Sequence, residues 1–279
     1  MSTLAFDERA SDDNVKPALC EHDRITFAGI SVNQLTLADL MKLLYIGIAN
    51  NEKWVIATHN LHSLYLFPRL RRFREYFATA EWVYMDGMSL VALARLYGHR
   101  VNRAHRVTFI DWTEPIMKAA VKNRWRVFYL GSDANTASKA MIVLRERFPQ
   151  LQIVARSGYF NAERDNPENL AVLKAIDSYR PHLVMVGMGM PRQELWIYDN
   201  RDDIRANIIV PCGAALEYVA GAVPTPPRWA GRLGLEWAFR LASEPRRLAG
   251  RYLGEPWEIL GRVISDLVFR RWKQEAPQR

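Results

Sequence analysis

Six short runs rich in β-branched and aromatic residues recur along the chain, and longer stretches with helical periodicity separate them. The runs are KWVIAT (53–58), EWVYMD (81–86), RVFYLG (126–131), LQIVAR (151–156), HLVMVG (182–187) and NIIVP (207–211). Near-continuous apolar strands that alternate with helices are typical of a parallel sheet covered on both faces. The pattern therefore predicts an α/β fold, with a mostly parallel, Rossmann-like sheet and helices on both of its faces.

The helices between these strands indicate where a ligand would bind. One helix is predicted from Thr36, a suitable N-cap, to Ala49, and another from Thr136 to Phe148. Right-handed crossovers place the carboxyl ends of parallel strands along one edge of the sheet, where such folds bind ligands. We therefore expect the chemistry to lie directly after the strands.

Composition divides the chain into three parts. Residues 1–24 are polar and without pattern, so we expect a loose tail, and residues 25–223 carry the strand and helix pattern of the α/β domain. The proline-rich VPTPPRW then marks a break, and residues 224–279 contain no convincing strand. This last part has 11 Lys and Arg against 6 Asp and Glu, which supplies +5 of the net charge of +8. It is predicted to form a basic helical appendage.

The segment EPWEILGRVISDLVFRRWK within the appendage has the pattern of an amphipathic helix with Pro256 in its first turn. The apolar residues that fall broadly on one side are Trp257, Leu260, Ile264, Leu267, Val268 and Trp272. The basic residues that lie mostly off that side are Arg262, Arg270, Arg271 and Lys273. A basic helix with tryptophans is typical of elements that lie on an anionic membrane surface. The same pattern also fits a helix that packs on its own domain.

Charge and cysteine content restrict the class of protein. A sequence pI of about 9.6 favours anionic partners, namely nucleic acid, phospholipid head groups or phosphorylated substrates. Cys20 and Cys212 are too few and too far apart to indicate a disulfide scaffold or a zinc site. No window reaches the ~18 uninterrupted apolar residues typical of a membrane span, and the first residues do not resemble a signal peptide. We expect a cytosolic protein.

Two clusters of polar residues follow predicted strands. Thr58-His59-Asn60 closes KWVIAT, and Asp86-Gly87 closes EWVYMD, so Asn60 and Asp86 would be neighbours if these strands are adjacent. The Asp86 carboxylate could take a proton from a bound hydroxyl group, and Gly87 would let a substrate approach closely. The same residues also suit helix N-caps, so a purely structural role stays open.

The third cluster is HLVMVGMGMPRQELW, in which a buried strand runs into the turn Gly187–Gly189 and a helix begins near Pro191. Backbone amides at such a helix start favour a phosphate or another anion. Arg192 occupies the place of the third glycine of the dinucleotide fingerprint, which weakens a nicotinamide or flavin interpretation. Gln193 and Glu194 lie in the first turn and could reach ligand hydroxyl groups.

Two further features carry less weight. The turn Gly131–Ser132 repeats the strand–glycine pattern and could hold part of a nucleotide, or could serve only as a turn. Arg106, with Asp111 after it, lies in a basic stretch that follows the predicted Asp86 helix. The six histidines have no metal-ligand spacing, and neither a phosphate-binding G-x-x-x-x-G-K-[ST] loop nor a G-x-S-x-G elbow occurs. We therefore expect no metal and no cofactor.

Taken in order, these pieces resemble the WecG/TagA/CpsF glycosyltransferases (glycosyltransferase family 26). The resemblance runs from roughly residue 27 to residue 255. The matching pieces are T-H-N (58–60), M-D-G (85–87), the Arg106 and Asp111 pair, F-Y-L-G-S (128–132), S-G-Y-F (157–160), V-G-M-G-M-P-R-Q-E (186–194), G-L-E-W-A-F-R-L-A-S-E-P-R-R-L (234–248) and R-Y-L (251–253). Their joint order is far more specific than any single piece.

The resemblance implies an inverting transferase of bacterial surface or exopolysaccharide biosynthesis that uses a UDP-sugar and a polyprenyl-pyrophosphate-linked saccharide. It implies that Asp86 is the general base. The substrate-binding residues expected around it are Thr58, Asn60, Gly87, Arg106, Asp111, Gly131, Ser132, Gly187, Gly189, Gln193 and Glu194. It also implies a peripheral enzyme at the cytoplasmic face of the inner membrane, whose basic appendage joins the membrane and helps to close the site. The candidates for contact with the membrane or a diphosphate are Arg228, Arg232, Arg240, Arg246, Arg247 and Arg251.

Two departures from the family pattern leave details open. Thr225-Pro226-Pro227 stands where the family commonly has R-A-P, so a phosphate role of that arginine would fall to Arg228 or Arg232. The common F-D of the last strand's G-x-x-F-D is replaced around Ala215-Leu216-Glu217. The chain has no D-x-D motif, which agrees with a metal-free reaction, and an oligomer is compatible with the sequence.

Two other functions remain as alternatives. A nucleotide-dependent oxidoreductase would use the same fold, although the broken glycine fingerprint speaks against it. A nucleic-acid-binding module would exploit the basic appendage, but no recognised module is present, and we expect no nucleic-acid partner.

Overall fold

The computed structural model describes residues 24–224, Ala230 and residues 236–275. A six-stranded sheet with the order β4-β3-β8-β7-β5-β6 forms its centre, and every neighbouring pair in this sheet is parallel. The strands are β3 (Trp54–His59), β4 (Trp82–Met85), β5 (Arg126–Gly131), β6 (Gln152–Arg156), β7 (Leu183–Gly187) and β8 (Ile208–Pro211). All six predicted strands and the predicted parallel sheet are confirmed.

Helices connect these strands and continue beyond the last one. Those of the α/β domain are α1 (Leu37–Ala49), α2 (Leu61–Leu66), α3 (Arg71–Thr79), α4 (Met88–Leu96), α5 (Phe109–Lys122), α6 (Ala134–Arg147), α7 (Pro167–Tyr179), α8 (Arg192–Asn200) and α9 (Ala215–Val219). Those of the appendage are α10 (Glu236–Ser243), α11 (Pro245–Ala249), a π-helical turn (Gly250–Gly254) and α12 (Glu255–Glu275). None of the helices in the described part of the chain is long and apolar enough to cross a membrane.

The sheet separates two hydrophobic clusters, which explains why its strands lack a polar face. Along β5, Val127 and Tyr129 face one cluster, and Phe128 and Leu130 face the other. Helices α1, α5, α6 and α9 contribute to the first cluster, and α2, α3, α4, α7, α8 and α12 contribute to the second. The expected helical layers on both faces are therefore present.

A short antiparallel hairpin precedes the main sheet and was not indicated by the sequence pattern. Its strands are β1 (Arg24–Phe27) and β2 (Ile30–Asn33). The turn residues Ala28 and Gly29 both have positive φ, at 48° and 81°. Two-residue hairpin turns favour Asn, Asp or Gly at such positions, so the alanine hides the hairpin from sequence reasoning.

Helix boundaries follow side-chain caps, and one of them corrects the sequence-based expectation. Thr36 caps α1 as predicted, within a reciprocal capping box with Asp39. Helix α6 begins two residues before Thr136, because Asp133 is the N-cap and accepts hydrogen bonds from the backbone N–H groups of Asn135 and Thr136. A short acidic side chain satisfies the first amides of a helix, and this one was overlooked.

Helix α12 has two apolar faces instead of the single predicted one. Ile259 and Val263 are each only 4 % exposed and belong to the core, and Leu267 packs against them. Leu267 was expected on the same side as Trp257, so that assignment was wrong. The apolar residues of α12 that are exposed are Trp257, Leu260, Ile264, Val268 and Phe269. The helix thus packs on the domain and still presents an exposed apolar stripe.

Several sequence-based expectations concern parts of the chain outside the described residues. The predicted loose tail lies outside them apart from Arg24, which begins β1. Arg228 and Arg232 also lie outside them, as does the side chain of Arg247.

Candidate active site

The ends of β3 and β4 bring Asn60 and Asp86 to neighbouring positions. The two strands pair with His59 opposite Met85, and the Asp86 N–H donates a hydrogen bond to the His59 carbonyl oxygen at 2.8 Å. Asn60 and Asp86 therefore follow adjacent strands at one edge of the sheet, as expected from the sequence. Asp86 is partly exposed, so a ligand can reach this position.

Arg106 lies beside the end of β4, on the side of that strand away from β3. Its backbone forms a parallel bridge with Met85, and the Val107 N–H donates to the Met85 carbonyl oxygen at 3.0 Å. The Arg106 guanidinium pairs with Asp111 at 3.1 Å, and its side chain is only 9 % exposed. The basic stretch is therefore not a solvated loop at this residue, since its backbone extends the edge of the sheet next to Asp86.

Asn60 has the capping role that the sequence left open. Its side chain accepts a hydrogen bond from the Ser63 N–H at 2.9 Å at the start of α2. His59 is fully buried, with Nδ1 against the Ser63 hydroxyl at 2.8 Å, and burial lowers its pKa to about 3. Thr58 is also buried, and its hydroxyl donates to the Tyr84 carbonyl oxygen at 3.5 Å. Neutral, hydrogen-bonded side chains thus fix the end of β3.

Four glycines lie close together at or just after the ends of β5, β6, β7 and β8, and we call them the glycine shelf: Gly131, Gly158, Gly187 and Gly213. A Cβ atom on Gly187 would lie 2.6 Å from the Gly213 carbonyl oxygen, and one on Gly158 would lie 2.9 Å from the Gly131 Cα. A larger residue at Gly131, Gly158 or Gly187 would therefore force these segments apart. Gly158 and Gly213 were not predicted from the sequence, although Gly158 lies within the S-G-Y-F piece.

Several residues that follow the strands have positive φ angles. Ser132 has φ 53°, its N–H donates to the Gly187 carbonyl oxygen at 3.2 Å, and its hydroxyl lies 2.7 Å from the Tyr129 hydroxyl. Gly87 and Gly189 have φ of 95° and 78°, which side chains disfavour. The turn role that the sequence left open at Gly131–Ser132 is therefore present in the structure.

Gln193 connects the start of α8 to the turn after β8. Its Oε1 accepts a hydrogen bond from the Gly213 N–H at 3.2 Å, and its Nε2 donates to Glu194 Oε1 at 2.7 Å. Glu194 is fully buried, and its Oε2 has no hydrogen-bond partner. Burial raises the pKa of Glu194 to about 7, against the opposing effects of the Gln193 hydrogen bond and the positive charge of Arg251. Glu194 therefore contacts Gln193, and it has no exposed surface that a ligand could reach.

The appendage brings one arginine to this edge. Arg251 lies in the π-helical turn, where burial lowers the pKa of its guanidinium, while the carboxylates of Glu255 and Asp86 act in the opposite direction. Arg240 instead donates to the Tyr218 hydroxyl at 2.9 Å, and Arg246 is exposed. Arg251 is thus a predicted appendage arginine that lies within electrostatic reach of Asp86.

A cavity of about 500 Å³ lies between the α/β domain and the appendage, and we call it the interface cavity. Its lining residues are His62, Tyr65, Met190, Leu248, Gly250, Arg251, Gly254, Glu255 and Glu258. Across it, His62 Nδ1 and Glu255 Oε2 lie 2.7 Å apart. Burial lowers the pKa of His62 to about 4 and raises that of Glu255 to about 7. Both shifts favour the neutral forms, so this contact is a hydrogen bond and not a strong ion pair.

Most cavity residues were not predicted to be functional. The histidine spacing does not single out His62, and the glutamates of α12 have the pattern of the solvated side of an amphipathic helix. Their proximity depends on how the appendage packs, which no local pattern reveals. Within the described residues, no group of three or more His, Cys, Asp or Glu side chains is arranged to hold a metal ion.

Comparisons with known proteins assign this arrangement to a family. Two similar proteins from Staphylococcus aureus, strains MRSA252 and MW2, are each named N-acetylglucosaminyldiphosphoundecaprenol N-acetyl-β-D-mannosaminyltransferase. Each is 26 % identical over 260 residues, which covers 92 % of this chain and 87 % of the relative. The model of the Glycosyl transferase WecG/TagA/CpsF family matches residues 25–273. The chain therefore belongs to the glycosyl transferase WecG/TagA/CpsF family.

Proposed function

We propose that this protein transfers a sugar from a UDP-sugar to a saccharide linked to polyprenyl pyrophosphate, with inversion at the anomeric carbon and Asp86 as the general base. The observation that carries the proposal is the convergence of Asn60, Asp86 and Arg106 at the edge of the sheet where the glycine shelf and Gln193 also lie. The names of the two Staphylococcus aureus relatives specify an acceptor of this chemical class.

The reaction is a single displacement in this proposal. An acceptor hydroxyl oxygen attacks the anomeric carbon, its proton passes to Asp86, and the bond from that carbon to the UDP oxygen breaks. Attack from the side opposite the leaving group inverts the configuration. Negative charge grows on the departing UDP, and Arg106 and Arg251 are the cations placed to stabilise it.

The UDP moiety is proposed to lie on the glycine shelf and against the start of α8. Absence of side chains on the shelf lets a diphosphate approach the backbone, and helix N-termini favour anions. The two carboxylates nearest the edge have different environments, since Asp86 is partly exposed and Glu194 is fully buried. This difference supports Asp86, and not Glu194, as the group that meets the acceptor hydroxyl.

Peripheral membrane attachment at the cytoplasmic face is part of the proposal. The exposed apolar stripe of α12 supports it, because Trp257 is 73 % exposed and Ile264 is 53 % exposed while the opposite side of the helix is packed. A helix with this arrangement can bury its outer side among lipid head groups. The basic residues of the appendage would add attraction to anionic lipids.

The proposed function is tested with a panel of UDP-sugars and a short-chain polyprenyl-pyrophosphate-linked N-acetylglucosamine acceptor, with products identified by mass spectrometry. The panel includes glucose, N-acetylmannosamine and its uronic acid as donor sugars. We expect the mass of one added sugar with one donor, and NMR of the product should show inverted anomeric configuration. Retention of configuration, or no transfer with any UDP-sugar, would refute the proposal.

A further inference from the structure

The interface cavity differs chemically from the glycine shelf. Its polar lining consists of the imidazole of His62, the guanidinium of Arg251 and the carboxyl groups of Glu255 and Glu258, with the Tyr65 ring as an apolar surface. Carboxyl oxygens accept hydrogen bonds from hydroxyl groups, and an aromatic ring offers a flat apolar surface with a polar rim. A volume of about 500 Å³ lies in the usual range of small-molecule sites. This lining suits a neutral, hydroxyl-rich ligand.

The charges of the lining disfavour a diphosphate inside the cavity. Arg251 and the Glu258 carboxylate bring one charge of each sign to the lining, and the raised pKa of Glu255 favours its neutral form, so a bound dianion would meet about as much repulsion as attraction. The nearby Arg69 already pairs with Glu258 and stacks on the Tyr65 ring at 3.7 Å. These contacts hold the ring and the Glu258 carboxylate in fixed orientations before any ligand enters.

The position of the cavity connects it to the reacting groups. Helix α2, which supplies His62 and Tyr65, begins at its cap Asn60, and Met190 lies just before the helix that carries Gln193. Arg251 lines the cavity and also acts electrostatically on Asp86. A ligand in the cavity would therefore lie beside Arg251, which is within electrostatic reach of the proposed base.

The α/β domain forms one wall of the cavity, and the appendage forms the other. Glu255 and Glu258 lie in the first turn of α12, and the outer side of the same helix carries the exposed apolar stripe. A saccharide on a membrane-bound lipid would enter from that side. The cavity exists only while α12 is packed on the domain, so its ligand must be bound by both parts of the chain.

We propose that the interface cavity is the binding site for the acceptor's saccharide, with Tyr65 as its packing surface and Glu255 and Glu258 as acceptors for its hydroxyl groups. This inference rests on the proposed function, which it extends by assigning the acceptor sugar to residues outside the family motifs quoted above. The donor nucleotide stays on the glycine shelf, so the two substrates occupy separate sites.

Direct binding tests this inference without depending on the donor sugar. Isothermal titration calorimetry would measure the Kd of three probes on the full chain: the short-prenyl pyrophosphate with N-acetylglucosamine, the same prenyl pyrophosphate without sugar, and UDP. We expect the wild-type protein to bind the sugar-bearing probe more tightly than the sugarless one. Tyr65→Ala and Glu255→Ala should each weaken the sugar-bearing probe about tenfold, which corresponds to ~1.4 kcal/mol, and should leave UDP within about twofold.

Matched variants separate sugar binding from mere packing of the appendage. Tyr65→Phe keeps the ring and should retain most of the affinity for the sugar-bearing probe. Asp266→Ala removes the hydrogen bond from the Tyr97 hydroxyl to α12 at 2.8 Å, outside the lining of the interface cavity, and should leave all three affinities unchanged.

Three outcomes would overturn the inference. Tyr65→Ala would weaken both prenyl probes equally if the cavity held the pyrophosphate. Asp266→Ala would reproduce the Tyr65→Ala result if the loss of affinity came only from weaker packing of α12 on the domain. A wild-type protein that failed to prefer the sugar-bearing probe would have no sugar site here. Failure of the proposed function is distinguished by the absence of transfer in the donor panel, whatever these affinities are.

Discussion

Asp86 is a partly exposed carboxylate held by its backbone, since its N–H donates to the carbonyl oxygen of His59. Its neighbours include Arg106 on one side and Asn60 on the other. Because that hydrogen bond comes from the main chain, a change of the side chain leaves the end of the strand in place. The chemical role of Asp86 can therefore be tested apart from its structural one.

Asp86→Asn should fold normally and lose roughly 10²- to 10⁴-fold in kcat, the span of a single acid–base group. Asparagine keeps the size of the side chain but cannot accept the proton of the acceptor hydroxyl. Steady-state transfer assays would give the rate, and the melting temperature would serve as the control for folding. Turnover close to that of the wild-type protein would remove Asp86 from the role of base.

Glu194 should make stability depend on pH. Its pKa is raised to about 7 in the folded protein from an ordinary value of 4.5, so the folded state binds the proton more tightly than the unfolded state. A raised carboxyl pKa means that stability is lost as pH rises from about 4.5 through 7. This pKa shift corresponds to a decrease in the free energy of unfolding on the order of 3 kcal/mol across that pH range.

Glu194→Gln removes this titration, because an amide does not ionise. The melting temperature of the variant relative to the wild-type protein should therefore rise between pH 5 and pH 8. Comparison of the two proteins at each pH cancels the opposing contribution of His59, whose pKa is lowered to about 3. A difference in melting temperature that stays constant across this range would show that the Glu194 carboxyl group does not titrate there.

At the scale of helices and strands, local patterns predicted the sheet well and the appendage less well. All six strands of the parallel sheet were predicted, since buried strands with β-branched residues are distinctive. The hairpin β1–β2 was missed because Ala28 occupies a turn position that usually holds Asn, Asp or Gly. In α12, periodicity indicated one apolar side, but only the packing of Ile259 and Val263 distinguishes the buried side from the exposed stripe.

Leu260→Ser with Ile264→Ser should weaken binding to anionic vesicles without changing the melting temperature. Both residues are about half exposed, at 46 % and 53 %, so they contribute little to the folded core but would contact lipid. Vesicle cosedimentation would measure the change. Wild-type binding should also fall with salt, because the screening length shortens from ~10 Å at 0.1 M to ~3 Å at 1 M.

Unaltered cosedimentation of the double variant would assign membrane binding to another part of the chain. A large fall in melting temperature would show that the stripe is packed in solution instead of exposed. The conservative pair Leu260→Met with Ile264→Val keeps the apolar surface and should bind vesicles like the wild-type protein.

Across the whole molecule, the site gathers residues from nearly the full length of the chain. The edge of the sheet that carries Asn60 and Asp86 was predictable, because carboxyl ends of parallel strands share one edge. The close packing of the glycine shelf and the burial of Arg251 were not, since both depend on contacts between segments far apart in sequence. The interface cavity was even less predictable, because it forms only where the appendage packs against the α/β domain.

The positions of Arg106 and Arg251 lead to a prediction about metal ions. The two cations that we propose to stabilise the departing diphosphate come from distant parts of the chain, Arg106 from the α/β domain and Arg251 from the appendage. Fixed cations can stabilise developing charge on a leaving group, and the sequence has no D-x-D motif. We therefore expect transfer to proceed at an unchanged rate in excess EDTA.

Arg251→Ala should lower kcat, and added Mg²⁺ or Mn²⁺ should not restore the rate, because the described residues include no group of three or more His, Cys, Asp or Glu side chains that could hold the ion. Transfer assays in EDTA, and again with each metal in excess, would check both statements. Arg145→Ala is the control, since Arg145 is an exposed arginine of α6 outside the predicted binding residues and its replacement should cost little activity. Loss of wild-type activity in EDTA with recovery in Mn²⁺ would instead mean that a metal ion, and not the two arginines, balances the leaving charge.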